Sequence, residues 1–170
     1  MKLYMINLGG KVEGCNLEVH DVQFLAADRI DDTVELLKRN WYGKAEKLHI
    51  DSYKLITGAD GHAVRLTKEK QESGKQLYFV QLGGYRKDTN QELHEIGLLI
   101  GDSLQEVKER AVKELQTDVI QNHVDSIVRV EDCLISVDGA QYYLELSKSQ
   151  EAYELAPDWF GYRRLDIEHS

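Results

Sequence analysis

The first apolar run of the chain, residues 3–8, carries hydrophobic side chains at almost every position. Such a run is typical of a β-strand that is buried on both faces. It ends at Gly9-Gly10, where we expect the chain to turn with a positive φ. A second strand is predicted over residues 16–27, which completes a β-hairpin. The same pattern recurs at residues 77–82, at Gly83-Gly84 and at residues 90–101.

Apolar residues then recur at helical spacing, which predicts an amphipathic helix that starts after an N-cap at Asp28. A third strand is predicted over 49–56 and a fourth over 62–66, after a turn at Asp60-Gly61. The apolar face of the first helix consists of Ile30, Val34, Leu37 and Trp41, and that of its later counterpart consists of Leu104, Val107, Ala111 and Leu115. The second copy has its expected N-cap at Asp102. Its third and fourth strands are predicted over 123–130 and 141–146.

The chain is an internal duplication with a shift of 74 residues. Residues 3–53 align with 77–127 without a gap, and fourteen aligned positions are identical. We therefore predict an α+β fold of two tandem ββαββ repeats, each a mainly antiparallel sheet with one helix, packed about a pseudo-twofold axis.

The predicted domain division places the first repeat at 1–74, with a polar connector at 67–74, and the second repeat at 75–170. Its C-terminal extension, residues 150–170, has no counterpart in the first repeat and contains the only proline, Pro157. We expect this extension to add a strand or a clasp over the second repeat.

Composition narrows the classes of partner. The 170 residues carry a formal net charge of −9 and a pI near 5.1, which argues against nucleic acid and anionic membranes, because phosphate groups require a basic surface. The sequence contains no apolar run long enough to span a bilayer and no signal-peptide pattern. Two cysteines, Cys15 and Cys133, offer neither a disulfide framework nor a metal clip, which favours a reducing cytoplasm.

The first candidate site is a row of polar residues at alternating positions, Asn16, Glu18 and His20. Residues spaced by two share one face of a strand, so an amide, a carboxylate and an imidazole would point the same way. The row is repeated at Asn90, Glu92 and His94. It predicts a ligand-binding site, with the alternative that it is the polar end of a core strand. A metal site would need a third or fourth ligand, and neither a metal nor another cofactor is predicted.

A second duplicated pair follows the helix. His49 and Asp51 are repeated as His123 and Asp125. We interpret each pair as a hydrogen-bonded brace for the preceding loop. Ser52 and the matching Ser126 would fall on the opposite face of a regular strand, which disfavours a Ser-His-Asp triad.

The segments LGG…NLEVHDVQF (8–24) and WYGKAEKLHIDSY (41–53), with their copies, resemble an uncharacterised bacterial family catalogued as domain of unknown function 1543. The resemblance implies a duplicated α+β domain and no assigned activity. The second copy departs from the pattern at Glu95, Leu115 and Thr117, so a site that uses Asp21, Trp41 or Gly43 would occur once. The family pattern is strongest at Gly9, Gly10, Asn16, Glu18, His20, Asp21, Trp41, Gly43, His49 and Asp51.

Two hypotheses of function remain. The first is a cytoplasmic, non-catalytic binding or interaction module for an unknown protein or small molecule, with a homodimer as one form. The second is a small enzyme or a metal-binding or ligand-binding protein that uses the two Asn-x-Glu-x-His rows where the repeats meet. It predicts that the two rows lie within reach of a shared ligand.

Overall fold

A computed structural model of the chain describes residues 1–72, 74–115 and 118–167. It contains eleven strands and three α-helices within these ranges, so the mixed α+β class is confirmed. The strands are β1 (Lys2–Gly10), β2 (Val19–Ala27), β3 (His49–Leu55), β4 (Gly58–Ala59), β5 (His62–Thr67), β6 (Gln76–Tyr85), β7 (Leu93–Gly101), β8 (Ile120–Arg129), β9 (Leu134–Ser136), β10 (Tyr143–Lys148) and β11 (Trp159–Arg164). The helices are α1 (Val34–Asn40), which follows a 3₁₀ turn (Ile30–Thr33), α2 (Leu104–Glu114) and α3 (Val130–Cys133).

Each repeat builds a sheet around its first strand. In the first repeat β1 pairs antiparallel with β2 and β3, and in the second β6 pairs antiparallel with β7 and β8. The first sheet is extended to the order β11-β3-β1-β2-β9, whereas the second keeps the order β7-β6-β8. A third sheet has the order β10-β5-β4.

The central strands are buried on both faces, as their sequence predicts. On one face, Leu3 and Met5 of β1 join Phe79 of β6 in an apolar core between the two sheets. On the other face, Ile6 packs with Leu37 of α1. The corresponding helix core of the second repeat is formed by Tyr78, Val80, Leu82, Leu99, Val107 and Ala111. Each sheet is therefore covered by its own helix on one face and by the other repeat on the other.

The predicted fourth strands exist but do not join the sheets of their own repeats. β5 and β10 pair antiparallel with each other, so the third sheet combines β4 and β5 of the first repeat with β10 of the second. The C-terminal extension also departs from expectation. β11 pairs with β3 of the first repeat, from Trp159 opposite Tyr53 to Arg164 opposite His49. The expected extra strand exists, but its expected place over the second repeat is wrong, because β11 adds to the edge of β3 in the first repeat, where Trp159 stacks with Tyr53.

The glycine pairs and the helix caps also differ from the prediction. β1 continues to Gly10 and β6 continues past Gly84, and the glycines with positive φ are Gly14, Gly61, Gly139 and Gly161. The glycine pairs therefore serve a close approach of other groups rather than a turn. The side chain of Ser103, not Asp102, caps α2 by accepting a hydrogen bond from the Glu106 amide. None of the helices in the described ranges is long and apolar enough to cross a bilayer.

Candidate metal centres

A row of three residues crosses the first sheet at its glycine end. Gly9 of β1 lies opposite His20 of β2 on one side and opposite His49 of β3 on the other. Glu18 precedes His20 by two residues, and Asp51 follows His49 by two. β2 and β3 run in the same direction, both antiparallel to β1, so Glu18 and Asp51 lie on opposite sides of this row along the strands.

An irregularity in β3 sets the direction of the Asp51 side chain. Leu8 pairs with Ile50 and Asn7 pairs with Ser52, so Asp51 is the extra residue of a β-bulge. Bulges redirect a side chain and are common beside functional sites. The bulge also turns Ser52 toward Asn7, whose side-chain amide donates to the Ser52 hydroxyl over 2.8 Å. The face predicted for Ser52 assumed a regular strand, and the strand is not regular at this point.

The four polar side chains converge over Gly9, and we call Glu18, His20, His49 and Asp51 centre one. The Nε2 atom of His20 lies 3.5 Å from a carboxylate oxygen of Glu18 and 3.5 Å from one of Asp51. The Nε2 atom of His49 lies 3.5 Å from Glu18 and 3.2 Å from Asp51. Each imidazole therefore faces both carboxylates.

The second repeat reproduces this arrangement over Gly83, and we call Glu92, His94, His123 and Asp125 centre two. Its bulge residue is Asp125, between the pairs Gln81–Ser126 and Leu82–Val124. His94 Nε2 lies 3.5 Å from Glu92 and 3.3 Å from Asp125, and His123 Nε2 lies 3.2 Å from Glu92 and 3.0 Å from Asp125. Ligand atoms of Glu92, His123 and Asp125 all lie within 4.8 Å of one another.

The protonation of two imidazoles follows from their other nitrogen. His49 Nδ1 lies 2.7 Å from the Lys47 carbonyl, and His123 Nδ1 lies 2.9 Å from the Gln121 carbonyl. A carbonyl only accepts, so Nδ1 carries the hydrogen in both residues. In the neutral ring, Nε2 then presents a lone pair to two carboxylates. That contact is repulsive unless a cation or a second proton lies between the groups.

The buried polar atoms show that centre one is incompletely satisfied by the protein. His49 is only 1% exposed, and its Nε2 atom makes no hydrogen bond of acceptable geometry. In centre two the same holds for the Oε1 atom of Glu92. Buried polar atoms without a partner are rare and costly, so both centres leave a position for a further atom.

The nitrogen–oxygen contacts have the spacing of neighbouring ligands of a metal ion, although the two histidines of each centre reach different oxygen atoms of the Asp51 or Asp125 carboxylate. An ion with bonds of about 2.0–2.1 Å holds neighbouring ligand atoms about 3.3 Å apart. The nitrogen–oxygen distances are 3.2–3.5 Å in centre one and 3.0–3.5 Å in centre two. Two imidazoles and two carboxylates form a ligand set that suits zinc and similar divalent ions.

Glycine is required beneath each centre. A Cβ atom on Gly9 would lie 2.5 Å from His49 Nε2 and 3.1 Å from an oxygen of Asp51. A Cβ atom on Gly83 would lie 2.6 Å from an oxygen of Asp125 and 2.8 Å from one of Glu92. The floor of each centre is therefore bare backbone.

Local electrostatics differ between the centres. Burial raises the pKa of Asp51, against the lowering effect of the two neighbouring imidazoles. The hydrogen bond to the Gln121 carbonyl, together with the carboxylates of Asp125 and Glu92, raises the pKa of His123.

The structure brings together only part of the predicted rows. Glu18, His20, Glu92 and His94 belong to the centres. Asn16 and Asn90, in contrast, lie on exposed bends ahead of β2 and β7.

The pairs His49–Asp51 and His123–Asp125 were recognised in the sequence and interpreted as braces for the preceding loop, whereas the structure brings each pair to the Glu-x-His pair of its own repeat. The available signal was that both pairs are duplicated in the same order and at the same spacing.

Comparisons with known proteins agree with the duplicated architecture. The family described as Domain of Unknown Function (DUF1543) matches the chain twice, over residues 15–66 and 89–141. The chain belongs to this family. The DUF1543 match therefore confirms the resemblance and its two tandem copies, and each matched segment contains the four residues of one candidate centre.

Among solved structures, the chain is similar to one described as the crystal structure of a protein Il1583 from Idiomarina loihiensis. The two are 29% identical with a TM-score of 0.73, over 96% of this chain and 97% of that one. A search of the curated proteins found no match.

The departures of the second DUF1543 copy have partial structural explanations. Trp41 packs over Gly10, where a Cβ atom would lie 2.8 Å from the indole, whereas the matching Leu115 lies against Gly97. Glu95 and the first-copy Asp21 are not among the ligands of either centre, and Thr117 lies outside the described residues.

Proposed function

We propose that the chain binds two divalent transition-metal ions, one in each repeat, with zinc as the simplest occupant. The observation that carries the proposal is the buried Nε2 atom of His49, which faces two carboxylates without a hydrogen bond. A metal ion at this point would accept the lone pair and neutralise both carboxylates.

Charge supports a divalent ion. Glu18 and Asp51 contribute two negative charges, and two neutral imidazoles contribute none, so a divalent ion makes centre one neutral. Without an ion, two carboxylates beside a buried ring repel each other, and burial raises the pKa of Asp51. Metal binding would therefore remove the free-energy cost of holding the two carboxylates close together beside the buried ring of His49.

The ligand set defines what the ions would do. Four protein ligands complete a tetrahedral shell, as in zinc sites that stabilise a fold, and a fifth ligand would have to enter from the exposed side. The backbone carbonyls of Lys47 and Gln121 orient one imidazole in each centre, as outer partners of metal-ligating histidines do. This role is compatible with the hypothesis of a non-catalytic binding module, since holding an ion requires no reaction. The predicted homodimer stays a prediction.

The test is a metal count on protein that has been stripped with a chelator and then supplied with zinc. Native mass spectrometry should show two ions on the wild-type chain and one on His20→Ala or His94→Ala. The matched controls are Asn16→Ala and Asn90→Ala, which change exposed residues of the same segments and should retain two ions. A wild-type chain that binds no ion, or ligand variants that bind as many as the controls, would overturn the proposal.

A further inference from the structure

A cleft between the two repeats adjoins centre one. It has a volume of about 400 Å³ and lies between β1 and β2 of the first sheet and β6 and β8 of the second. That volume lies within the range of small-molecule sites, which are mostly apolar with a few converging polar groups. His20 is part of both the cleft wall and centre one.

The cleft has an aromatic floor. Phe24 and Phe79, one from each repeat, meet edge to face with their ring centroids 5.8 Å apart. Val22 and Ile96 occupy matching positions of β2 and β7 on the same wall. Such a floor favours a flat, apolar molecular body.

Besides His20 and Asp21, the polar groups of the cleft include two neutral amides and a hydroxyl. Asn7 and Gln81 occupy matching positions of β1 and β6, and Ser126 of β8 lies opposite Gln81. The Asn7 amide is held by its hydrogen bond to Ser52, so its carbonyl oxygen has a defined direction. These groups both donate and accept hydrogen bonds, and they complement another uncharged donor–acceptor group.

The charges of the residues around the cleft argue against anionic ligands. Among the described residues that line the cleft there is no lysine or arginine, and Asp21 supplies a carboxylate. A phosphate or carboxylate ligand would find no cationic partner there and would meet a chain of net charge −9.

We infer that this cleft is a binding site for a small, uncharged molecule with a flat apolar body and an amide-like polar group. Its coupling to metal rests on the proposed function. A metal ion in centre one would fix the His20 ring, which is otherwise 62% exposed in its side chain, and would thereby order one wall of the cleft. By reciprocity, an occupant of the cleft would tighten metal binding by the same factor.

The probe for the test is benzamide, which has the required ring and a neutral amide. Titration of ¹⁵N-labelled protein should shift the side-chain amide resonances of Asn7 and Gln81. The variants Ser126→Phe and Val128→Phe place a ring in the cleft and should each weaken binding about tenfold, by excluding the probe from the volume it would fill. Ile135→Phe changes a partly exposed apolar residue outside the cleft lining and should leave the affinity unchanged.

The titration is run on metal-free and on zinc-loaded protein, so that the two proposals fail separately. Shifts at Asn7 and Gln81 whose midpoint moves to about tenfold higher benzamide in both filling variants support the cleft even if the metal count is zero. A threefold or greater gain in affinity with zinc would support the coupling. Shifts spread over unrelated surfaces, or binding that neither filling variant weakens, would overturn the cleft as a site. Equal affinity with and without bound zinc would overturn the coupling alone.

Discussion

Centres one and two share the same four residues in the same order, one spacing and one glycine floor, yet their surroundings differ. His49 is 1% exposed, whereas the matching His123 has a side chain that is 45% exposed. The cause is β11, which pairs with β3 and carries Tyr162 to 4.0 Å from the His49 ring. In the second repeat β8 forms the edge of its sheet, and Tyr85 stacks on His123 at 6.1 Å.

This comparison separates the residues that form a centre from the strand that shields it from solvent. The bulge, the glycine and the four ligands occur twice, so they belong to the repeat. The covering strand occurs once, so it was added to one copy. The duplicated parts are therefore the ones that the proposed metal binding requires, and the added strand would set how easily water and competing ligands reach a bound ion.

The largest difference between the two centres should appear when the buried imidazole of His49 is removed. His49→Ala is expected to lower zinc affinity at centre one roughly a thousandfold, an order beyond the loss from changing an outer partner. It should also destabilise the fold by about 1–3 kcal/mol, because the site is fully buried. His123→Ala should cost centre two as much affinity with little loss of stability. Isothermal titration and denaturant unfolding measure both quantities, and equal destabilisation by the two variants would contradict the comparison.

Acidification should release the ion from centre two. Ligation requires neutral His123, and its raised pKa lets protons compete from a higher pH than the usual value of about 6.5. Zinc affinity of the His49→Ala variant, which retains centre two, should fall about tenfold per pH unit below that pKa, or about a hundredfold over two units.

In the metal-free protein, the stability of the fold should change with pH in the opposite direction from the zinc affinity. A raised folded-state pKa means that His123 contributes stability that is fully present below its unfolded-state pKa and is lost as the pH rises through the folded-state pKa. A zinc affinity that does not change between pH 8 and pH 5.5 would contradict the assignment of His123 as a ligand.

A methyl group beneath each centre should have unequal effects. Gly9→Ala places a Cβ atom 2.5 Å from the Nε2 atom of a ring that cannot move, so we expect about a tenfold loss of affinity and a cost of about 1–3 kcal/mol. Gly83→Ala meets the ends of two carboxylates, which can shift at smaller cost. Zinc titration of both variants tests this order, and Gly10→Ala, which meets Trp41 instead, is a control for strain near the centre without contact to its ligands.

The smallest expected effect concerns the tyrosine rings. Tyr162→Ala should expose one face of His49 and speed zinc removal by a chelator about threefold to tenfold, with little change in affinity, because the ring covers a ligand without binding the ion. Tyr85→Ala should change the rate at centre two less, since His123 is already exposed. A chelator competition followed over time gives both rates, and a larger effect for Tyr85→Ala would argue against β11 as the cover.

The sequence predicts helices and strands well but does not predict which strands pair with each other. Alternation and apolar runs identified the hairpins and helices of both repeats, because burial of a face leaves a local pattern. Hydrophobicity along β5 and β10 shows that each is a strand but not that they pair with each other. β11 pairs with a strand about a hundred residues earlier, and no local pattern records that partner.

The candidate site follows the same rule. Glu18 and His20 were recognisable because they alternate within one strand. Their convergence with His49 and Asp51 depends on strand order and on the bulge at Asp51, which an unbroken strand pattern conceals. The conformation expected for Gly9 was wrong because glycine has two uses, and only the neighbouring strands show that close approach is the one used here.

The late position of β11 and β10 in the chain also fixes an order of assembly. The ligands of centre two are complete once residue 125 has been synthesised, whereas the cover of centre one lies at residues 159–164. β5 likewise waits for β10, its partner from Tyr143 onward. Contacts between such distant segments form late and slowly. We therefore expect a ribosome-bound chain to acquire its second centre in final form before its first, and an ion to enter centre one while that centre is still open.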